Sequence, residues 1–173
     1  MEKYSVLMSV YHKEKTEYLR QSMDSMLNQT VAPDEFVIVC DGPLGEELDR
    51  VLLEYAALHS CIKLVRLPEN VGLGAALNAG LRACTNPIVA RMDSDDVSMP
   101  DRIELELCAM NRENADIVSG TIIEFNTNTE EELARRVLPE NMDGIRQFSR
   151  RRNPFNHPAV MFKKESVEKA GGY

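Results

Sequence analysis

No stretch of this chain is long enough and free enough of charge to cross a bilayer, which takes about 20 consecutive apolar residues. Nor does it open like an exported protein. Met1-Glu2-Lys3-Tyr4 runs directly into a strand-like stretch, without the charged, apolar and small-residue blocks of a signal peptide. Positive charge is scarce: 20 Lys and Arg face 28 Asp and Glu, a formal net charge of -8. That argues against general nucleic-acid binding, which neutralises phosphates with basic side chains, while leaving room for a local basic patch. Cysteine pairs are missing too. Cys40, Cys61, Cys84 and Cys108 are widely spaced, form no C-x-x-C pair, and three lie in segments that read as buried. Reduced core thiols in a cytosolic protein are therefore expected, not disulfides or a metal site. Internal repeats and low-complexity tracts are also absent.

What is present is an alternation of short apolar runs and helical stretches, in a chain of 173 residues that is the size of one α/β domain. Ser5 to Val10, Phe36 to Cys40, Ile62 to Leu67 and Ile88 to Met92 read as strands, the first compact enough to be buried on both faces. Asp116 to Phe125 reads as a fifth. Between them, Leu19, Met23, Met26 and Leu27 make one helical face, with Thr16 as the expected N-cap. Leu48, Val51, Leu52 and Tyr55 make the next, Gly74 to Cys84 a third, and Ile103, Leu107 and Met110 a fourth that starts near Pro100. This βαβαβαβ order predicts a mostly parallel sheet with helices on both faces. Beyond Phe125 the periodicity decays through Asn126-Thr127-Asn128-Thr129 and Arg150-Arg151-Arg152. An apolar piece, Ala159 to Phe162, and a short helical stretch then lead to Gly171-Gly172-Tyr173. Residues 1–125 are expected to form one half of a single domain, and 126–173 the start of the other, with the ending read as a truncation.

In such sheets ligands bind where the carboxyl ends of the strands and their loops converge. Four groups land there. Arg91-Met92-Asp93-Ser94-Asp95-Asp96 follows the fourth strand, and its carboxylates repel one another unless a cation or hydrogen-bond donors offset them. Mg²⁺ and Mn²⁺ favour such oxygens and share their shell with substrate phosphates. Asp96 reads equally as an acid favourable to the next helix's dipole, whereas Asp93 and Asp95 lie too far upstream for that. A calcium loop is excluded by Val97 and Ser98, which stand where an oxygen ligand and a glycine are required. Asp41-Gly42 could hydrogen-bond a base or ribose, or be turn chemistry. Ser9-Val10-Tyr11-His12 could flank a nucleobase through Tyr11, or pack the loop. Asn70-Val71-Gly72-Leu73-Gly74-Ala75-Ala76-Leu77-Asn78-Ala79-Gly80 has Leu77 where a dinucleotide fingerprint has its third glycine, and follows the third strand instead of the first. Its small residues could bring a helix start close to a phosphate, or close to the sheet. Asn78 is expected to point its amide into the cleft.

In this order SVLMSVYH, VCDG, ENVGLGAALNAG, RMDSDDVSMPDR and NPFNHPAVMFKKESVEKAGGY resemble the family 2 glycosyltransferases, whose nucleotide-binding fold is called GT-A. The likeness covers nearly the whole chain and is nearest to bacterial enzymes of capsular, exopolysaccharide and lipopolysaccharide synthesis. It implies a transfer from a nucleotide-sugar donor, usually UDP-linked, to a saccharide or lipid-linked acceptor, with inversion and with Mn²⁺ or Mg²⁺. Ser9, Val10 and Tyr11 would line the nucleoside pocket and Asp41 would bond the base. Asn70, Gly72 and Asn78 would form the donor turn and helix. Asp93 would contact ribose, Asp95 the metal in a D-x-D motif that includes Ser94, and Asp96 the donor sugar. Cys40 stands where the family has a further acid, which weakens the case for uracil. The carboxylate general base would lie just beyond Tyr173, so that this chain would bind donor and metal but transfer sugar poorly. Glu165 and Glu168 read as a solvated face. His157 matches a position near the metal and acceptor, and reads equally as a structural histidine. Arg150 to Arg152 could meet a pyrophosphate, an anionic membrane surface or only solvent. A cytoplasmic location follows, with room for peripheral association at the inner face of a membrane.

The competing reading is a sugar-nucleotide-binding fragment or scaffold without catalysis. A sugar nucleotidyltransferase would need a glycine-rich phosphate loop after the first strand, and residues 11–16 contain no glycine.

Overall fold

The structure, a computed structural model, describes residues 2–127, 129 and 131–173; Met1 and Asn128 of the tracts above lie outside them. Three βα units lead into a fourth strand. They run β1 (Tyr4–Val10), α1 (Thr16–Leu27), β2 (Glu35–Cys40), α2 (Glu46–Leu58), β3 (Ile62–Arg66), α3 (Leu73–Ala83), β4 (Ile88–Asp93) and α4 (Arg102–Glu113). There follow β5 (Ile117–Ser119), β6 (Ile122–Phe125), β7 (Glu132–Arg136), α5 (Met142–Ser149), a 3-10 turn at His157–Ala159, β8 (Val160–Lys163) and α6 (Lys164–Lys169). The main sheet has the order β3-β2-β1-β4-β8-β5. The first four strands pair in parallel, and β8 inserts antiparallel between β4 and β5.

Strand alternation divides the core. Val6, Met8 and Val10 of β1, with Phe36 and Ile38 of β2 and Ala90 and Met92 of β4, face α1, α2 and α4. Leu7, Val37, Val39 and Val89 face the other way, toward Ala76, Leu77 and Leu81 of α3 and Val160 and Phe162 of β8. β1, β2 and β4 are thus largely apolar on both sides, as strands buried between two helical layers must be. The small residues of α3 serve that packing. A Cβ placed on Gly80 would fall 2.6 Å from Val39 Cγ2 and nearer still to Leu7, so the helix rests directly on β1 and β2.

Four local expectations change. Thr16 is the first residue of α1, not its cap; Lys15 precedes it without a side-chain capping bond, and its carbonyl already accepts from Leu19 N at 3.0 Å. The expected fifth strand is broken at Gly120-Thr121 into β5, in the main sheet, and β6, which pairs with β7 in a separate two-stranded ribbon. Segment 126–157, which shows no periodicity, contains β7 and α5. Of the four cysteines, all free, two are buried; Cys61 is half-buried before the edge strand β3 and Cys108 is exposed on α4. The division at 125/126 falls inside the β6–β7 hairpin, and β8 returns to the sheet built by the first half.

Gly80→Ala should lower the unfolding free energy by about 1–3 kcal/mol through overpacking, although alanine favours helix by about 1 kcal/mol. Urea denaturation reads the sign directly, and a stabilised variant would contradict the close helix–sheet contact.

Candidate functional site

Strand order reverses between β1 and β4, and the register there sets Ser9 opposite both Asp93 and Val39. The carboxyl ends of β1, β2 and β4 therefore present Ser9, Asp41 and Asp93 at the switch point, where such sheets take their ligands. Tyr11, at the rim, is exposed. Val10 sends its side chain into the core and offers only backbone to the cleft, where its carbonyl accepts from Asp41 N at 2.8 Å.

The acidic turn after β4 is the centre of charge. One carboxylate oxygen from each of Asp93, Asp95 and Asp96 lies within 4.8 Å of the others. Arg91, 2% exposed, points from the same face of β4 as Asp93, two residues on, and donates to both its oxygens, Nη1 to Oδ2 at 2.7 Å and Nη2 to Oδ1. Burial nonetheless raises the Asp93 carboxyl pKa, with Arg91 opposing. At Asp96 the surrounding protein, then the charges of Asp93 and Asp95, push the pKa up to about 6. Carboxylates whose charged forms are disfavoured by burial and by neighbouring acids, as at Asp93 and Asp96, are ones that a divalent cation would stabilise, and the three oxygens fit the hard-ligand preference of Mg²⁺ or Mn²⁺. Ser94, buried between them, donates to Glu14 Oε2 at 2.5 Å, tying the loop after β1 to this turn. Glu14 also lines a cavity of about 410 Å³ between the loops after β1 and β2. Glu17, Glu46 and Glu47 share its walls with Lys15 and His12.

Asp41 and the Asn70–Gly72 turn form one unit. Asp41, 3% exposed, accepts from Val71 N at 2.8 Å and Gly72 N at 3.1 Å, one bond to each carboxylate oxygen. Asn70 Nδ2 reaches back to the Asp41 carbonyl at 3.3 Å. Gly42 has φ +83, and a Cβ there would meet Asn70 N at 2.6 Å, so only glycine lets the two loops close. In this arrangement both oxygens of Asp41 are engaged in organising the Asn70–Gly72 turn. Gly72, φ +84, caps α3 and aims that helix's start at the cleft.

Asn78 does not point a free amide into the cleft. Its Nδ2 donates to Tyr173 O at 2.8 Å and its Oδ1 accepts from Tyr173 N at 2.9 Å, so both polar atoms pin the Gly171-Gly172-Tyr173 segment. The Tyr173 ring then packs on His157, with centroids 5.5 Å apart, and on Phe162 at 6.1 Å. Burial, with the Arg91 charge nearby, lowers the His157 pKa to about 4, so the imidazole is neutral at pH 7. It is not part of the three-carboxylate group. Glu165 and Glu168 pair with Lys169 (2.5 Å) and Lys164 (3.7 Å) on α6, away from reactive geometry.

Sequence reasoning assigned no role to Arg91 or Glu14. An arginine two residues before an aspartate on a buried strand was the available signal for the first, since period two puts both on one face. Glu14 carried none, because its partner is 80 positions away.

Asp41→Ala should remove two charge-assisted bonds and cost roughly 2–4 kcal/mol. Faster amide exchange at Val71 and Gly72 would accompany the loss, and unchanged exchange there would refute this role for Asp41.

Comparison with known proteins agrees with this fold. Residues 5–170 match the family described as Glycosyl transferase family 2. The amylovoran biosynthesis glycosyltransferase AmsE of Erwinia amylovora is 45% identical over 171 residues, covering 98% of this chain and 63% of its own length. The UDP-Gal:alpha-D-GlcNAc-diphosphoundecaprenol beta-1,3-galactosyltransferase of Escherichia coli is 40% identical over 173 residues, covering 99% of this chain and 62% of its own. The chain thus spans less than two thirds of either relative. Among solved structures, the mannosyltransferase PcManGT of Pyrobaculum calidifontis, in complex with GDP-Man and Mn²⁺, superposes with a TM-score of 0.72. It is 19% identical, with 99% of this chain and 47% of that one covered.

Proposed function

The chain belongs to glycosyl transferase family 2, and from that premise we propose that it carries the donor site of an inverting, cation-dependent glycosyltransferase of cell-surface polysaccharide synthesis. The donor is a nucleotide sugar, UDP-linked, and the acceptor a saccharide or lipid-linked saccharide, in keeping with the names of its relatives. The observation that carries this reading is the convergence of Asp93, Asp95 and Asp96 at the switch point of the sheet.

Ser9, the Val10 backbone and Tyr11 line the nucleoside side of the cleft. Asn70 and Gly72, braced by Asp41, form the donor turn. Asp93 faces ribose, Asp95 is the principal ligand of Mn²⁺ or Mg²⁺, Asp96 orients the donor sugar, and neutral His157 sits on the acceptor side with a free lone pair for the cation. When bound, the cation supplies Lewis-acid stabilisation of the departing nucleoside diphosphate. Arg91 keeps Asp93 fixed while that charge develops. No carboxylate described here is assigned as the general base. No helix among the described residues is long and apolar enough to cross a membrane. A cytoplasmic location, with peripheral contact at the inner membrane face, is supported by the free cysteines, the exposed Arg150–Arg152 and a relative whose name includes a diphosphoundecaprenol acceptor.

Calorimetric titration with UDP, with and without Mn²⁺, tests the proposal. Binding should require the cation and weaken at least about tenfold in Asp95→Ala, a change of about 1.4 kcal/mol. Equal affinity in chelator and in the variant would defeat the reading.

The same titration across pH has a defined sign. The ionised carboxylate is the binding form, so affinity should be flat from pH 8 to 7 and fall below about 6 as Asp96 takes up its proton. An affinity that rises on acidification would exclude Asp96 from the cation site.

A further inference from the structure

Helix α1 meets the sheet with Leu19, Met23 and Met26, which account for its apolar face. It also carries a second, polar stripe that those core contacts do not require. Ser22, wholly buried, Ser25, half-buried, and Gln29 in the turn after the helix, 6% exposed, all reach toward the segment between β4 and α4.

Apart from bonds back to their own helix, from Ser25 Oγ to the Ser22 carbonyl and from Gln29 Nε2 to the Ser25 carbonyl at 2.9 Å, their contacts fall on backbone groups or a hydroxyl of that segment and its two ends. Ser22 Oγ donates to the Asp93 carbonyl at 2.6 Å. Ser25 Oγ accepts from Ser98 N at 3.0 Å and donates to the Ser22 carbonyl at 2.7 Å. Gln29 Nε2 donates to Met99 O at 2.8 Å and to Ser98 Oγ at 3.2 Å, while its Oε1 accepts from Ile103 N at 3.1 Å. The main chain adds Thr30 N to Pro100 O at 2.9 Å. The anchored points, Asp93 on one side and Ser98 to Ile103 on the other, bracket Asp95 and Asp96. Residues 94–101 belong to neither strand nor helix, so no ladder of their own fixes their backbone.

Buried hydroxyls and amides are unfavourable unless bonded, and a stripe of three that all serve one loop is a costly way only to fill a core. Its effect is to hold a turn whose carboxylates repel one another. Without those anchors the turn would relax outward, and a cation would have to recover the lost order on binding. We propose that Ser22, Ser25 and Gln29 are positioning residues that set the aim of Asp95 and Asp96 from behind, touching neither cation nor donor. This rests on the cation-site reading of the acidic turn given above.

The test uses Ser22→Ala, Gln29→Ala and the pair Ser25→Ala and Ser25→Thr, with Leu81→Ala as a control. Leu81 is buried in the opposite core layer, so its loss destabilises the fold without reaching the turn. Two readouts are taken: the Mn²⁺-dependent affinity for UDP, and amide hydrogen exchange at residues 94–99. The alanine variants at 22, 25 and 29 should bind Mn²⁺-UDP roughly three- to tenfold more weakly, the size of one net hydrogen bond, and exchange faster at 94–99. Ser25→Thr, which keeps the hydroxyl, should recover the affinity, and Leu81→Ala should change neither readout. Wild-type affinity in the three alanine variants, or an equal loss in Leu81→Ala, would overturn the inference. Should the unsubstituted chain bind no nucleotide with Mn²⁺, the proposed function fails by itself. Unchanged protection at 94–99 in the alanine variants would likewise overturn the inference, whether or not nucleotide binds.

Discussion

Repulsion among Asp93, Asp95 and Asp96 is the constraint around which the upper edge of this sheet is organised. Like charges within 4.8 Å of each other separate unless something holds them, and the restraint comes from three directions. Arg91 grips Asp93 from within the strand. Glu14 takes the Ser94 hydroxyl from the loop after β1. Arg102, at the start of α4, donates to the Arg91 carbonyl at 2.8 Å and pairs with buried Glu106 at 3.0 Å, so even the strand end carrying the cluster is clamped. The site is therefore stiff before any ligand arrives, as a preorganised electrostatic site should be.

The alternation of strands and helices was legible because the buried strands are predominantly apolar and the helices between them each have one apolar face. The acidic turn was legible because three carboxylates at a strand end have few structural uses. What stayed hidden depended on distant partners. Asp41 and Asn78 look like ligand-facing groups in sequence, yet Asp41 is bonded to a turn 30 positions away and Asn78 to Tyr173, 95 positions away. The run from Asp116 to Phe125 is uniformly strand-like, and only the sheet's preference for β8 as a neighbour shows why it must break at Gly120. The polar stripe of α1 is silent in the sequence because periodicity counts apolar residues, and serines at helical spacing look like an exposed face.

Asn78 also links two regions that sequence treats as separate. It lies in α3, the helix that begins at the Asn70–Gly72 turn, and holds Tyr173, whose ring rests on His157 beside Arg91. One side-chain amide thereby joins the start of α3 to the segment that packs on His157.

Residues 120–159 leave the sheet and return to it at neighbouring points. Ser119 ends β5 opposite Val160, which begins β8, and Gly120 N bonds to Ala159 O at 2.9 Å. Asn156, fully buried, staples the base of the excursion by donating to the carbonyls of Gly120 at 2.9 Å and Arg136 at 3.0 Å. Closing a longer loop costs only slowly more entropy when its ends are already fixed. The excursion is thus built like an exchangeable cassette. Evolution, or a protein engineer, can lengthen or replace it between Gly120 and Asn156 while the sheet and its acidic turn stay as they are.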